Sequence, residues 1–249
     1  MREAGGTWSN GQVRVLGLIP ARGGSKGVPR KNLRLVAGKP LLAYTAAAAL
    51  AARRLSRVVL STEDEEIAEL GRRCGLEVPF LRPVELAQDT SPMLPVVQHA
   101  MRMLEASHDR FDAVCLLQPT NPLRRAVDID GAIDLLEHSG ADSVISFVEV
   151  GDRHPARMKY LAADGRVINP PFAEEVEGQR RQDLSKLYLR EGSIYLTRST
   201  VVMERNSMQG DYCQALIISE ERACNIDTLF DLFVAEQLLK RDRDIKRCV

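Results

Sequence analysis

Short apolar runs alternate along the chain with longer segments that have the composition and end signals of helices. The apolar runs predict strands, and they lie at 13–19, 57–61, 78–81, 113–117 and 141–150. The helical segments lie at 39–54, 61–75, 94–106, 128–138 and 228–240. The second helix opens with a hydroxyl residue, has acids in its first turn and has arginines in its last turn, an order that suits the helix macrodipole.

The alternation of strands and helices predicts an α/β protein with a doubly wound, mostly parallel sheet. In such sheets the ligand crevice lies beyond the carboxyl ends of the strands. The segments "PARGGSKG" (20–27) and "QPTNPLR" (118–124) each follow a predicted strand directly, so we expect them at the same edge. From residue 151 to 191 the pattern breaks into a hairpin-rich excursion with turn signals and arginines, and regular structure resumes with "GSIYLTR" and "QALIIS".

Composition narrows the classes of partner. The 249 residues suffice for one large α/β domain, and 34 lysines and arginines balance 34 aspartates and glutamates. A general attraction to nucleic acid or to an anionic membrane is therefore not expected, and no apolar stretch approaches a membrane span. Residues 1–12 read as a disordered lead-in without a signal sequence.

The cysteines indicate a reducing compartment. They are odd in number, far apart and without C-x-x-C spacing, which argues against disulfides or a zinc site and predicts a cytoplasmic protein. They are Cys74, Cys115, Cys213, Cys224 and Cys248. Cys115 stands in an apolar run, so we expect it in the core.

The most unusual segment is "LIPARGGSKGVPRKN" (18–32), which joins three glycines to four cations directly after the first predicted strand. Glycines allow sharp bends and bring backbone N–H groups close to an anion, and several cations suit a polyphosphate. The spacing matches neither the Walker A pattern nor G-x-G-x-x-G. The alternative interpretation is a solvated basic turn, which explains the glycines poorly.

This segment resembles the amino-terminal signature of the acylneuraminate (CMP-nonulosonic acid) cytidylyltransferases, which activate sugar acids with CTP. The resemblance continues in order through "STEDEEIAELG", "VPFLRPVELAQDTSP", "LLQPTNPLR", "GQRRQDLSKLY", "GSIYLTR" and "NIDTLFDL", and it covers nearly all of the chain after residue 12. It implies a Rossmann-like nucleotidyltransferase fold over 13–249 as one domain. It also implies a homodimer in which 152–190 form a dimerisation arm that helps to complete the acceptor site.

The resemblance assigns roles to individual residues. It implies that the glycine-rich loop holds the CTP triphosphate and that the nucleotide site comprises Ala21, Arg22, Gly23, Gly24, Ser25, Lys26, Asn32, Arg82 and Gln118. Catalytic roles fall to Arg22, Lys26, Lys31 and Asp227. Acceptor contacts fall to Gln118, Arg157, Arg181 and Glu191.

The reaction implied is CMP transfer from CTP to a small acidic acceptor, with release of pyrophosphate and with Mg²⁺ as cofactor. The family places a D-I-D motif at the metal, and this chain has "NID", so Asp227 and Asn225 are the expected ligands. The alternative for Asp227 is the N-cap of the last helix. Asn225, Glu191, Ser185 and Met93 depart from the family pattern on the acceptor side. A phosphonate acceptor and a catalytically impaired CTP-binding protein therefore stay open beside a nonulosonic acid acceptor.

Overall fold

A six-stranded sheet forms the centre of the protein. The structure is a computed structural model that describes residues 13–174 and 176–247, so the predicted lead-in at 1–12 lies outside the described residues. The six strands are β1 (Val15–Pro20), β4 (Arg57–Ser61), β5 (Ala113–Leu116), β6 (Ser143–Glu149), β9 (Tyr188–Arg198) and β10 (Cys213–Ile217). Two small hairpins supply β2 (Leu35–Val36) with β3 (Lys39–Pro40), and β7 (Tyr160–Leu161) with β8 (Val167–Ile168).

The strand order in the sheet is β10-β6-β9-β5-β1-β4. Strand β9 is antiparallel to both of its neighbours, β5 and β6, and every other pairing is parallel. The prediction of a mostly parallel sheet is therefore confirmed. The antiparallel strand is the one that returns from the excursion after β6. The described residues of that excursion form short 3₁₀ turns and the β7–β8 hairpin, so the chain re-enters the sheet without the helical crossover that a parallel strand uses.

Helices cover both faces of the sheet, as a doubly wound fold requires. They are α1 (Leu41–Ala51), α2 (Glu65–Arg73), α3 (Met93–Ala106), α4 (Ala126–Ser139), α5 (Ser199–Met203) and α6 (Leu229–Arg247). Along β1 the side chains alternate: Val15 and Ile19 pack in the core shared with α1, α2 and α4, whereas Leu16 and Leu18 pack in the core shared with α3. Cys115 is fully buried in the first of these cores, as predicted.

The second helix shows how the local sequence sets its ends. Asp64 is the N-cap of α2, and its carboxylate accepts a hydrogen bond from Ile67 N at 3.0 Å. The expected hydroxyl residue therefore does not cap this helix. Glu65 and Glu66 occupy the first turn and Arg72 and Arg73 the last, so the predicted charge order is confirmed.

Other sequence predictions of local structure are also wrong. The strand expected at 78–81 is reduced to an isolated bridge between Val59 and Glu77, because Pro79 lacks the N–H that would continue the ladder. The helix expected from residue 39 begins at Leu41, since the preceding residues close the β2–β3 hairpin. Ala37 and Gly38, both with positive φ, form the turn of that hairpin.

Candidate active site

A cavity of about 570 Å³ opens at the carboxyl ends of β1 and β5. It is bounded by the glycine-rich loop after β1, by the segment after β5 and by the residues before α6, so the two loops expected at one edge do meet there. Eight residues assigned from the sequence line it: Arg22, Ser25, Lys26, Lys31, Asn32, Arg82, Gln118 and Asp227. Sequence reasoning did not assign a role to Asp89 or Thr120, which also line it.

The backbone N–H groups of the glycine-rich loop are only partly free. Ala21 N donates to Ser61 O at 3.0 Å, Gly23 N donates to a carboxylate oxygen of Glu63 at 2.7 Å, and Ser25 N donates to Gly23 O at 3.2 Å. Within the described residues, the N–H groups of Gly24 and Lys26 donate to no protein group. The loop therefore offers a subset of its amides to an anion.

Gly27 is required by close packing. A Cβ added there would overlap the backbone oxygen of Asp227, whereas a Cβ added at Gly24 would meet nothing within 4 Å. Neither residue has a positive φ. Gly27 thus allows the loop to lie directly against the segment that carries Asp227.

The cations of the site are paired with carboxylates. Arg22 Nη1 and Lys26 Nζ lie 2.6 Å from the two carboxylate oxygens of Asp89. The hydrogen bonds from Lys26 and Arg22 hold the pKa of Asp89 below its usual range, so its charge persists at neutral pH. An anionic ligand that engages these cations must take the place of Asp89.

Lys31 faces the opposite side of the cavity. Its Nζ donates to Ile226 O at 2.6 Å and lies 3.2 Å from a carboxylate oxygen of Asp227. Asn32 is buried and donates through Nδ2 to Arg22 O at 3.0 Å, so it fixes the backbone of the loop beside the catalytic candidates. This contact gives Asn32 a positioning role within the predicted nucleotide site.

The N-cap interpretation of Asp227 is wrong. Thr228 and Asp231 form the reciprocal cap of α6: Thr228 N donates to Asp231 at 2.7 Å, and Asp231 N donates to Thr228 Oγ1 at 3.2 Å. The Asp227 carboxylate is left to face Lys31 and the cavity. Asn225 does not line the cavity, and its Nδ2 donates to Asp227 at 2.5 Å.

Glu191 is placed behind the cavity wall, not in it. The side chain is buried and accepts hydrogen bonds from Asn121 Nδ2 at 2.8 Å and from Ser193 N at 3.2 Å. Its carboxylate therefore braces the "QPTNPLR" segment from β9. The acceptor-binding role expected for Glu191 finds no support in this geometry, because both carboxylate oxygens already have partners.

A buried arginine fixes the same segment. Arg124 donates through Nε to Ser193 O at 2.7 Å, through Nη1 to Thr45 Oγ1 at 2.9 Å and through Nη2 to Gln118 O at 2.6 Å. Burial lowers the pKa of Arg124 to about 10, which still leaves it charged at neutral pH. Arg124 thus ties the backbone of Gln118, whose side chain was assigned to the site, to α1 and to β9.

The two arginines expected at the acceptor lie in the excursion between β6 and β9. Arg157 has an exposed side chain whose Nη2 is 3.5 Å from Gln179 O, and it does not line the cavity. Arg181 begins a short 3₁₀ turn, Arg181–Asp183. The described residues that line the cavity of a single chain therefore do not include Arg157.

Comparison with known proteins identifies the class of this site. The sequence matches the family described as "Cytidylyltransferase" over residues 16–238. The chain therefore belongs to the cytidylyltransferase family, and it is a CTP-dependent nucleotidyltransferase, as the resemblance of its motifs predicted.

Two relatives align over nearly their whole length. A CMP-N,N'-diacetyllegionaminic acid synthase of Legionella pneumophila is 32% identical over 233 residues, which are 93% of this chain and 99% of that protein. A pseudaminic acid cytidylyltransferase of Campylobacter jejuni is 33% identical over 229 residues, which are 92% of this chain and 97% of that protein. The predicted resemblance to CMP-nonulosonic acid cytidylyltransferases is confirmed.

A solved structure confirms the fold. The structure of CMP:2-keto-3-deoxy-manno-octonic acid synthetase complexed with CTP matches with a TM-score of 0.70 at 17% identity, and it covers 92% of this chain and 99% of that chain. The sheet order and the two helical layers are therefore those of a Rossmann-like nucleotidyltransferase.

Proposed function

We propose that this protein transfers CMP from CTP to a nonulosonic sugar acid. An oxygen of the acceptor attacks the α-phosphorus, the bond from that phosphorus to the bridging oxygen breaks, and pyrophosphate leaves with the electron pair while the acceptor hydroxyl releases its proton. The observation that carries the proposal is the cavity itself. It gathers, from four separate stretches of the chain, eight residues that the sequence assigned to nucleotide binding, catalysis or the metal.

The cations of the cavity match the charge that this reaction develops. Negative charge grows on the pentavalent phosphorus and on the leaving pyrophosphate, and fixed cations stabilise it. Arg22 and Lys26 lie on one side of the cavity with Asp89 between them, and Lys31 lies on the side of Asp227. We assign the first pair to the triphosphate and Lys31 to the region between the nucleotide and the metal.

Magnesium is the proposed cofactor, and Asp227 is the residue that would hold it. Mg²⁺ in proteins often uses one or two carboxylates together with substrate phosphates, and Asp227 supplies such a carboxylate at the cavity wall. Asn225 presents its amide nitrogen to Asp227, so its oxygen would face a metal only after the amide rotates. When bound, the metal would neutralise charge on the phosphates. Among the described residues there is no group of three or more His, Cys, Asp or Glu side chains arranged for a metal.

The excursion at 152–190 is the proposed dimerisation arm. Ten large apolar side chains between residues 158 and 189 are exposed, among them Leu161 at 75% and Val167 at 65% in the β7–β8 hairpin. An apolar surface of this extent is typical of an association site. A partner's arm would bring arginines such as Arg157 toward the acceptor. Light scattering should give a dimer that Leu161→Glu weakens, and a monomeric wild-type chain would contradict the assignment.

The nonulosonic acid is favoured over a phosphonate as acceptor because both relatives that align over nearly their full length are named for nonulosonic acids. The retained cations and Asp227 also favour an active enzyme over an impaired CTP-binding protein. Within the described residues no helix is long and apolar enough to cross a membrane. A cytoplasmic location stays a prediction from the cysteines.

The proposal is tested by following pyrophosphate release. The purified chain is given CTP and Mg²⁺ with a panel of nonulosonic acids and, separately, with small phosphonates. Release that depends on a nonulosonic acid supports the proposal, and release with phosphonates alone would replace the acceptor. Tight CTP binding without turnover on either panel would indicate the impaired binding protein.

A further inference from the structure

The end of β4 and the residues that follow it form a junction beneath the cavity. Ser61 O accepts from Ala21 N, and Thr62 O accepts from Arg82 N at 2.8 Å, so this segment contacts both the glycine-rich loop and the arginine on the cavity wall. Asp64 forms an ion pair with Arg30 at the far end of the loop. In the sequence, the acids of this region indicate only the start of a helix. In the structure, two of them contact the glycine-rich loop.

Glu63 makes the central contact of this junction. One of its carboxylate oxygens accepts a hydrogen bond from Gly23 N at 2.7 Å, and the other accepts from Arg82 Nη2 at 2.7 Å. Arg82 is 4% exposed, and its Nε has no partner within the described residues. The hydrogen bond to Glu63 therefore holds the buried Arg82 guanidinium at the cavity wall, while its Nε remains an unused donor.

We propose that Glu63 is a positioning residue for the nucleotide: it joins the glycine-rich loop to Arg82 and so sets the distance between the two parts of the cavity that CTP must span. This inference rests on the proposed CTP site and adds to it a residue that does not line the cavity. The position demands two acceptor oxygens with the reach of a glutamate. Glutamine offers only one acceptor, and aspartate is one methylene too short to meet both partners.

The test compares Glu63→Gln with Glu65→Gln. Glu65 is a matched control, because it lies two residues away, is exposed, and pairs with Arg72 on the surface of α2. Glu63→Gln should weaken CTP binding about tenfold or more in calorimetry, and it should raise the KM for CTP more than it lowers kcat. Glu65→Gln should stay within about twofold of wild type.

Two further measurements separate positioning from a general loss of stability. Without nucleotide, amide hydrogen exchange in the 22–27 loop should be faster in Glu63→Gln than in Glu65→Gln. Glu63→Asp keeps the charge and should still bind CTP poorly, because it cannot reach both partners.

Unchanged CTP affinity in either Glu63 variant, or a lowered melting temperature with unchanged loop exchange and affinity, would overturn the inference. If the wild-type chain bound no CTP, the proposed function would fail by itself. The exchange comparison would then still decide whether Glu63 fixes the loop.

Discussion

Replacing Arg124 by methionine tests how strongly the buried network supports the site. The change removes three charge-assisted hydrogen bonds, to Ser193 O, Thr45 Oγ1 and Gln118 O, and leaves these acceptors inside the protein. Each such bond contributes about 1.5–3 kcal/mol, but the desolvation of the guanidinium offsets a large part of the total. Each neutral acceptor left buried and unsatisfied costs about 1–3 kcal/mol, and part of the sum is regained because the guanidinium no longer has to be desolvated, so we expect a net loss of about 3–5 kcal/mol.

This loss is large enough to measure in a chain of this size. One kcal/mol shifts the melting temperature of a domain of about this size by roughly 2–4 °C, so Arg124→Met should melt about 6–20 °C lower than wild type. Urea unfolding followed by circular dichroism gives the free energy directly, and Arg102→Met, an exposed arginine on α3, is the control. A loss below about 1 kcal/mol would show that the network does not stabilise the segment that carries Gln118.

Three more predictions follow from single side chains. Lys26→Ala should lower kcat about 10²–10³-fold by removing a cation from the transition state, measured as pyrophosphate release, and near-normal turnover would reject the role of the loop. Asn225→Asp should lower the Mg²⁺ concentration needed for activity without lowering kcat for a nonulosonic acid, and a strong loss of rate would point to an anionic acceptor such as a phosphonate. Burial raises the pKa of Asp64, but the hydrogen bonds from Arg30 and from Ile67 N outweigh it and hold that pKa below its ordinary value. The stability that Asp64 contributes is therefore present above its unfolded-state pKa of about 4 and is lost as the pH falls through the lower folded value. Unfolding midpoints should accordingly fall less steeply below about pH 4 in Asp64→Asn than in wild type.

The central strands and the class of site were predictable because they depend on local signals. The 113–117 run is uniformly apolar, as a strand covered on both faces must be, and the glycine-rich loop carries its cations in sequence beside the first strand. The strand at 78–81 failed because its apolar residues do not reveal that Pro79 ends the ladder. In these cases success or failure turned on a few neighbouring residues.

The contacts between distant segments were not predictable. Nothing near Asp89 in the sequence indicates that it pairs with Arg22 and Lys26, which lie more than sixty residues earlier. Glu191 was assigned to the acceptor from its position in a motif, yet the fold turns its carboxylate toward Asn121. A carboxylate has the same chemistry whether it lies at the surface, supports a neighbouring segment or lines a site, so only the fold decides its role.

The most direct test of the central claim is a crystal structure of the chain with CTP bound. The account predicts the triphosphate against the glycine-rich loop, with its oxygens near the N–H groups of Gly24 and Lys26 and with Asp89 displaced from Arg22. Cytidine nucleotide bound elsewhere, with the Arg22 to Asp89 and Lys26 to Asp89 pairs intact, would contradict it.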